Sequence, residues 1–167
     1  MAPRRARGYD LPMSPPSRAR PEVRAATPAD RAACARMLTA RLVEDGRAVD
    51  EDGVTRAVEL ALSQGAAAWL VVALVAGLPA GVLLANPIVS VAQGGAALGI
   101  EELFVAPEWR RRGIARALLD YVLSEARLNG LRAATIEVAP GNEAAVALVA
   151  RLGFVGAAAQ RMILPFA

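Results

Sequence analysis

Residues 97–116, ALGIEELFVAPEWRRRGIAR, constrain the architecture more than any other stretch. An apolar strand ends at Val105, a Pro-containing turn follows, and three arginines lead into Gly113-Ile114-Ala115 at the head of a helix. A helix start leaves its first amides unpaired and carries the positive end of the dipole, so it suits an anion. Gly113 has no Cβ and permits close approach to the backbone, and Ala115 adds little bulk. Arg110, Arg111 and Arg112 supply charge matched to phosphate oxygens. A ligand with a pyrophosphate is expected here. Taken alone, such an Arg triplet is more often a solvated surface patch than a phosphate site, and the Gly ordinary loop chemistry. A Walker-type loop is excluded because the chain has no Lys and no GxxxxGK[ST], and GxGxxG is absent too.

A second pattern follows about 27 residues later: a strand, then Asn142, then a helix ending in Leu152-Gly153-Phe154, within IEVAPGNEAAVALVARLGF. Together the two resemble the GNAT superfamily of acyl-CoA-dependent N-acyltransferases. Its acyl-CoA signature, [Q/R]-x-x-G-x-[G/A] after a hydrophobic strand, is matched by Arg110-Arg111-Arg112-Gly113-Ile114-Ala115. The resemblance runs from about Glu22 to the C-terminus, where RMILPF looks like the final strand of such domains. It implies an α/β (α+β) fold: a mixed, mostly antiparallel sheet with helices on both faces and a splayed central strand pair. It also implies acetyl-CoA as acyl-donor cosubstrate, with no metal. The backbone of Leu103, Phe104 and Val105 would pair with the pantetheine arm, and amides from Arg111 to Ala115 would hold the pyrophosphate. Asn142 joins these positions as a cofactor-binding residue.

Composition narrows the chemistry independently. The 167 residues suffice for one domain with a sizeable core. Apolar residues make up 55% and aromatics only 4%, so that core is built mainly from Ala, Val and Leu. All 19 basic residues are Arg, and there is no His. This removes His as general base or metal ligand and excludes many hydrolase and zinc mechanisms. The single cysteine, Cys34, rules out an internal disulfide, and a cytoplasmic location is expected. Residues 1–20 carry five Arg against Asp10, whereas the remainder carries 14 Arg against 15 acids. The basic balance thus belongs to the tail. Arg110, Arg111, Arg112 and Arg116 form the one dense cationic cluster of the body, with only Trp109 beside it, so no nucleic acid is expected as partner.

Residues 1–21 mix Arg, Pro, Ser and Gly without periodicity and read as a disordered extension, and the resemblance implies that 22–167 form an N-acetyltransferase domain. The extension lacks an apolar segment, so a secretory signal is not expected in it. The twenty-residue apolar run Ala66–Ala85 has the length of a membrane span. Gly77, Pro79 and Gly81 cluster within it, so two buried strands, Trp69–Val75 and Gly81–Ile88, joined by AGLPAG explain it better, and no membrane is expected. A strand over Glu22–Ala26, helices to about Val43 and over Glu51–Ser63, and a strand Ile100–Val105 complete the first half. A helix from Gly113 to Asn129-Gly130, a strand Ala133–Val138, a helix Asn142–Leu152 and a strand over residues 161–165 follow.

Attack on a thioester needs a neutral amine, so some group must accept the ammonium proton. Without His, carboxylates are the candidates. Glu101 and Glu102 interrupt an apolar strand, where an unpaired buried charge is costly, and alternation places them on opposite faces. Glu137 interrupts the Ala133–Val138 strand; its position resembles that of the base-bearing Glu in ribosomal-protein N-terminal acetyltransferases. The order of candidates is Glu102, Glu137, Glu101; each is also readable as solvated or paired with Arg. Many relatives carry a Tyr, as acid for the departing thiolate, where this chain has Val149. Tyr121 reads as packing with Leu118 and Val122. The segment Glu44–Asp52, with five acids against Arg47, would border the acceptor site and either attract a cationic amine or serve as a solvated loop.

The leading expectation is an N-acetyltransferase acting on a primary amine of a small molecule or peptide by direct attack in a ternary complex, as monomer or homodimer. A non-catalytic acyl-CoA-binding module is the alternative, and a nucleic-acid-associated protein driven by the Arg tail the third.

Overall fold

A computed structural model describes residues 20–156; most of the expected extension, and the strand expected over 161–165, lie outside the described residues. The elements run β1 (Glu22–Ala25), α1 (Arg31–Glu44), α2 (Glu51–Leu62), β2 (Trp69–Val75), β3 (Leu78–Ser90), β4 (Gly95–Val105), α3 (Ile114–Leu128), β5 (Ala133–Ile136) and α4 (Glu143–Arg151). Short 3-10 turns, Pro28–Asp30 and Pro107–Trp109, open the way into α1 and follow β4. The five strands form one sheet in the order β1-β2-β3-β4-β5, antiparallel except for the last pair.

The apolar run is a hairpin, as its Gly and Pro content implies. Its turn is tighter than AGLPAG: only Ala76 and Gly77 lie between the strands, both at positive φ (50° and 77°), and Leu78 already pairs with Val75. Such two-residue turns need left-handed backbone at both positions, which matches the twist of the flanking strands. No helix among the described residues is long and apolar enough to cross a membrane.

Strand alternation divides the core in two. Val71, Ala73, Leu83, Ala85, Leu98 and Ile100 face α3, packing on Ile114, Leu118, Leu119 and Val122, with Val149 of α4 in the same cluster. Leu70, Val72, Val82 and Phe104 face the other way, onto Cys34, Met37 and Leu38 of α1 and Val58 of α2. Each large side chain so buried contributes roughly 1.5–3 kcal/mol relative to exposure. Helices thus cover both faces of a mixed sheet. Gly81 of β3 sets how closely α3 approaches: a Cβ there would lie 3.0 Å from the Phe104 carbonyl and 3.1 Å from the Ile114 and Leu118 side chains. The first turn of α3 therefore presses directly on the sheet beside the end of β4.

Two irregularities in the strands shape the site. The β3–β4 ladder pairs Leu84 with Glu102 and Ala85 with Ile100, which leaves Glu101 as an extra, bulged residue. The parallel β4–β5 ladder runs from Ala97↔Ala133 to Ile100↔Ile136 and stops. β4 continues for five residues past that point, whereas β5 has ended. Between the two strands a seam opens.

Candidate functional site

The seam exposes main chain. Ala106 N–H donates to the Ala80 carbonyl at 3.0 Å, so residue 106 turns its polar groups toward β3. By alternation Phe104 does the same, and Leu103 and Val105 turn theirs the other way, into the seam. Of the three backbone positions expected to meet a pantetheine arm, Leu103 and Val105 thus fit; Phe104 engages β3 and gives its side chain to the α1–α2 core. An open strand edge offers a row of N–H and C=O groups to an amide-rich ligand.

At the end of the seam stands the start of α3. Its first intrahelical bond runs from Ala117 N–H to the Gly113 carbonyl at 2.9 Å, so the amides of Ile114, Ala115 and Arg116 lie ahead of the ladder. Gly113 caps the helix with φ 79°, and no atom lies within 4 Å of where its Cβ would be. Arg111 also adopts left-handed backbone, φ 63°. Left-handed residues in such turns bring successive N–H groups to one side and make an anion-binding concavity. The open space over Gly113 and the converging amides suit a diphosphate, which is the ligand the sequence pattern implies.

The arginine side chains behave differently from the expectation. Arg110 donates through Nε to the Val105 carbonyl at 2.9 Å and through one Nη to both oxygens of Glu44 at 2.6 and 2.8 Å, with its guanidinium 5.6 Å from the Phe104 ring centroid. Arg112 lies over the Trp109 ring at 5.1 Å. Two of the three side chains are therefore engaged within the protein, and the cradle consists chiefly of backbone. The side chain of Asn142 is likewise engaged locally, where its oxygen accepts the Ala145 N–H at 3.0 Å and caps α4. Gly153, at φ 93°, ends that helix, and Phe154 N–H returns to the Val149 carbonyl at 3.1 Å.

The carboxylates gather where the strands part. Glu101 and Glu137 are the residues that directly follow the last parallel pair, Ile100↔Ile136, and both are exposed. Simple alternation would set Glu101 and Glu102 on opposite faces; the bulge corrects this. Leu98 and Ile100 face α3 before it, and Leu103 and Val105 after it, so both glutamates fall on the α1–α2 side. A bulge re-aims every later side chain of the strand. Glu102 is consequently partly buried, its side chain 23% exposed, near Arg47 Nη1 at 3.5 Å and Arg41 Nε at 3.8 Å. These contacts are long beside the 2.6 Å of Arg110–Glu44. Burial pushes the Glu102 carboxyl above the ordinary glutamate range; Arg41 and Arg47 oppose the shift, and Asp45 and Glu101 add to it.

Sequence spacing does not mark Arg41 and Arg47 as neighbours of Glu102, because they reach it from α1 and the segment after it, 61 and 55 residues away in the chain. The acids of that segment are mostly engaged: Glu44 with Arg110, Asp45 with Arg41, and Asp50 with Arg56 at 3.0 Å. Glu51 and Asp52 occupy the first turn of α2, where they complement its dipole. The segment is a set of local pairs, closer to the solvated-loop reading than to an open negative surface. Val149 is buried among apolar neighbours and offers no proton to a leaving group.

Residues 35–154 match the model of the acetyltransferase (GNAT) family. A stretch of 61 residues is 38% identical to [ribosomal protein bS18]-alanine N-acetyltransferase of Escherichia coli strain K12, covering 36% of this chain and 41% of that protein. The chain thus matches about two fifths of the length of that curated relative. Among solved structures, a possible acetyltransferase from Clostridium difficile 630 superposes with a TM-score of 0.76 at 21% identity, over 88% of this chain and 98% of that one. An aminoglycoside N-acetyltransferase in complex with CoA gives 0.73 at 19%, over 94% and 98%. At such identities the likeness is one of fold. With a family match over most of its length and a fold that agrees, the chain belongs to the acetyltransferase (GNAT) family.

Proposed function

We propose that this protein transfers an acetyl group from acetyl-CoA to a primary amine of a small molecule or peptide, by direct attack in a ternary complex. The observation that carries the reading is the juxtaposition of three features: the seam beyond Ile100↔Ile136, the backbone cradle at Gly113, and Glu101, Glu102 and Glu137 at the seam's mouth. The family match and the CoA complex of a protein with the same fold support acetyl-CoA as the donor. Leu103 and Val105 would hold the pantetheine arm through main-chain groups, and the amides from Arg111 to Ala115 the diphosphate.

Glu102 is the first choice for the group that takes the ammonium proton. Burial raises its carboxyl above the ordinary glutamate range, so it holds a proton more readily than an exposed glutamate. Its loosely spaced arginine neighbours oppose that rise without sealing it off. Glu137 and Glu101 follow in that order. With Val149 in place of a phenol, the thiolate would leave unassisted by a side chain and take its proton from water; a thiol pKa near ~8.5 makes this tolerable. A cytoplasmic location, without metal, membrane or nucleic acid, belongs to the same reading.

Titration calorimetry with acetyl-CoA, followed by free-thiol release with a panel of amines, peptides and aminoglycosides, tests it. Heat of binding and amine-dependent thiol release are expected. Binding without transfer to any amine would establish the non-catalytic acyl-CoA-binding module instead. Absence of binding would end the proposal.

A further inference from the structure

The side chain of Arg110 joins the end of β4 to the end of α1. One end, Nε, caps the Val105 carbonyl, which alternation turns into the seam. The other grips both oxygens of Glu44, the last residue of α1, 66 residues away in sequence. The aromatic ring of Phe104 lies beneath the guanidinium and fixes its plane. A side chain meant for a bound phosphate would present its donor fork to the ligand; here Nε and one Nη are taken by a carbonyl and a carboxylate. Arg suits such a bridge, because its planar donor fork engages two partners at fixed angles, which an ammonium cannot do.

We infer that Arg110 is a positioning residue rather than a phosphate ligand: tethered by Glu44, it holds the end of β4 in the attitude that admits the pantetheine arm. This rests on the reading of the seam as an acyl-CoA site. Capping Val105 leaves the Val105 N–H and the Leu103 groups as the main chain available to the arm, so the tether fixes the register in which the arm lies. Glu44 thereby serves the binding of an anionic ligand although it is itself an anion.

That last consequence gives the test its sign. If Glu44 acted only by its charge, Glu44→Gln would tighten acetyl-CoA binding, because one negative charge near a polyanion is removed. The same tightening follows if Glu44 merely sequesters a phosphate-binding arginine. The tether requires the reverse: Glu44→Gln weakens acetyl-CoA by about tenfold, the scale of one charge-assisted hydrogen bond. Arg110→Lys keeps the positive charge but cannot bridge both partners, and weakens binding by a similar factor. Binding of the nucleotide half of CoA, lacking the pantetheine arm, stays within about twofold in both variants, which a loss of general foldedness would not permit. Calorimetry on the full chain with acetyl-CoA and with that nucleotide half reads all of these. Equal or tighter acetyl-CoA binding by Glu44→Gln overturns the tether while leaving the acetyl-CoA site intact. So does full affinity in Arg110→Lys, or an equal loss for both ligands. No binding by the unaltered protein would remove the site and the tether together.

Discussion

Replacing Gly113 by Ala separates the cost of backbone strain from the cost of a blocked ligand. Gly113 sits at φ 79°, where an L-residue costs roughly 1–2 kcal/mol. Gly94, in the β3–β4 turn, sits at φ 66°, and like Gly113 has no atom within 4 Å of its missing Cβ. The two substitutions therefore carry similar strain, and each is expected to lower the melting temperature by about 2–8 °C in a chain of this size. They differ in what relaxation would disturb. At Gly113 the added methyl stands in open space at the helix start, and relaxation of φ would turn the amides of Ile114, Ala115 and Arg116 away. Losing one or two charge-assisted hydrogen bonds, at about 1.5–3 kcal/mol each, corresponds to a loss of roughly 10- to 10⁴-fold in acetyl-CoA affinity. Gly94→Ala is expected to bind acetyl-CoA as the unaltered protein does. Thermal melts and calorimetry on the two variants decide the matter. Equal affinities in Gly113→Ala and Gly94→Ala, with equal melting shifts, would refute the assignment of the diphosphate to this turn.

Three further outcomes are expected. Glu102→Gln should lower kcat/KM for amine acetylation by about 10²–10⁴; Arg47→Gln removes a cation that favours the ionised form, so the rising limb of the pH–rate profile should move to higher pH, and an unmoved limb would free Glu102 from the role. Asp30 is held at about 2 by the side-chain hydrogen bond from Arg24, burial opposing, so its stabilising contribution is complete above the unfolded value near ~4 and is lost as pH falls toward 2. Acid titrations of stability for the protein and Asp30→Asn should converge across that window, and parallel curves would contradict it. Cys34 is fully buried with its thiol pushed up to about 12, chiefly by burial, so a thiol reagent should label it only on unfolding; rapid labelling of the folded protein would show otherwise.

Much of this molecule can be read from local sequence, because local chemistry decides it. Trp69–Val75 forms a strand with the bounds its composition implies, since Gly77 and Pro79 punctuate an apolar, β-branched run. Thr27-Pro28-Ala29-Asp30 starts the first helix through a 3-10 turn, with the Thr27 N–H and hydroxyl on Asp30 at 2.7 and 2.9 Å. The Gly113 turn and the Asn142 cap are local too. What escapes is decided across the sheet or across the chain. No residue type announces that Glu101 bulges; the mismatch exists only in its pairing with Leu84 and Ala85, and it reverses the face on which Glu102 lies. The engagement of Arg110 depends on Glu44, which no spacing rule connects to it. β5 ends at Ile136 rather than Val138 because its partner strand departs there, which is a property of two strands.

The short ladder between β4 and β5 has a consequence for how this region tolerates change. A ligand gripped by amides and carbonyls alone is blind to which side chains project from Leu103 and Val105, as long as the chain stays extended. Exchanges among Leu, Ile and Val at those two positions would then register in the packing against α3 and leave the grip on the coenzyme untouched.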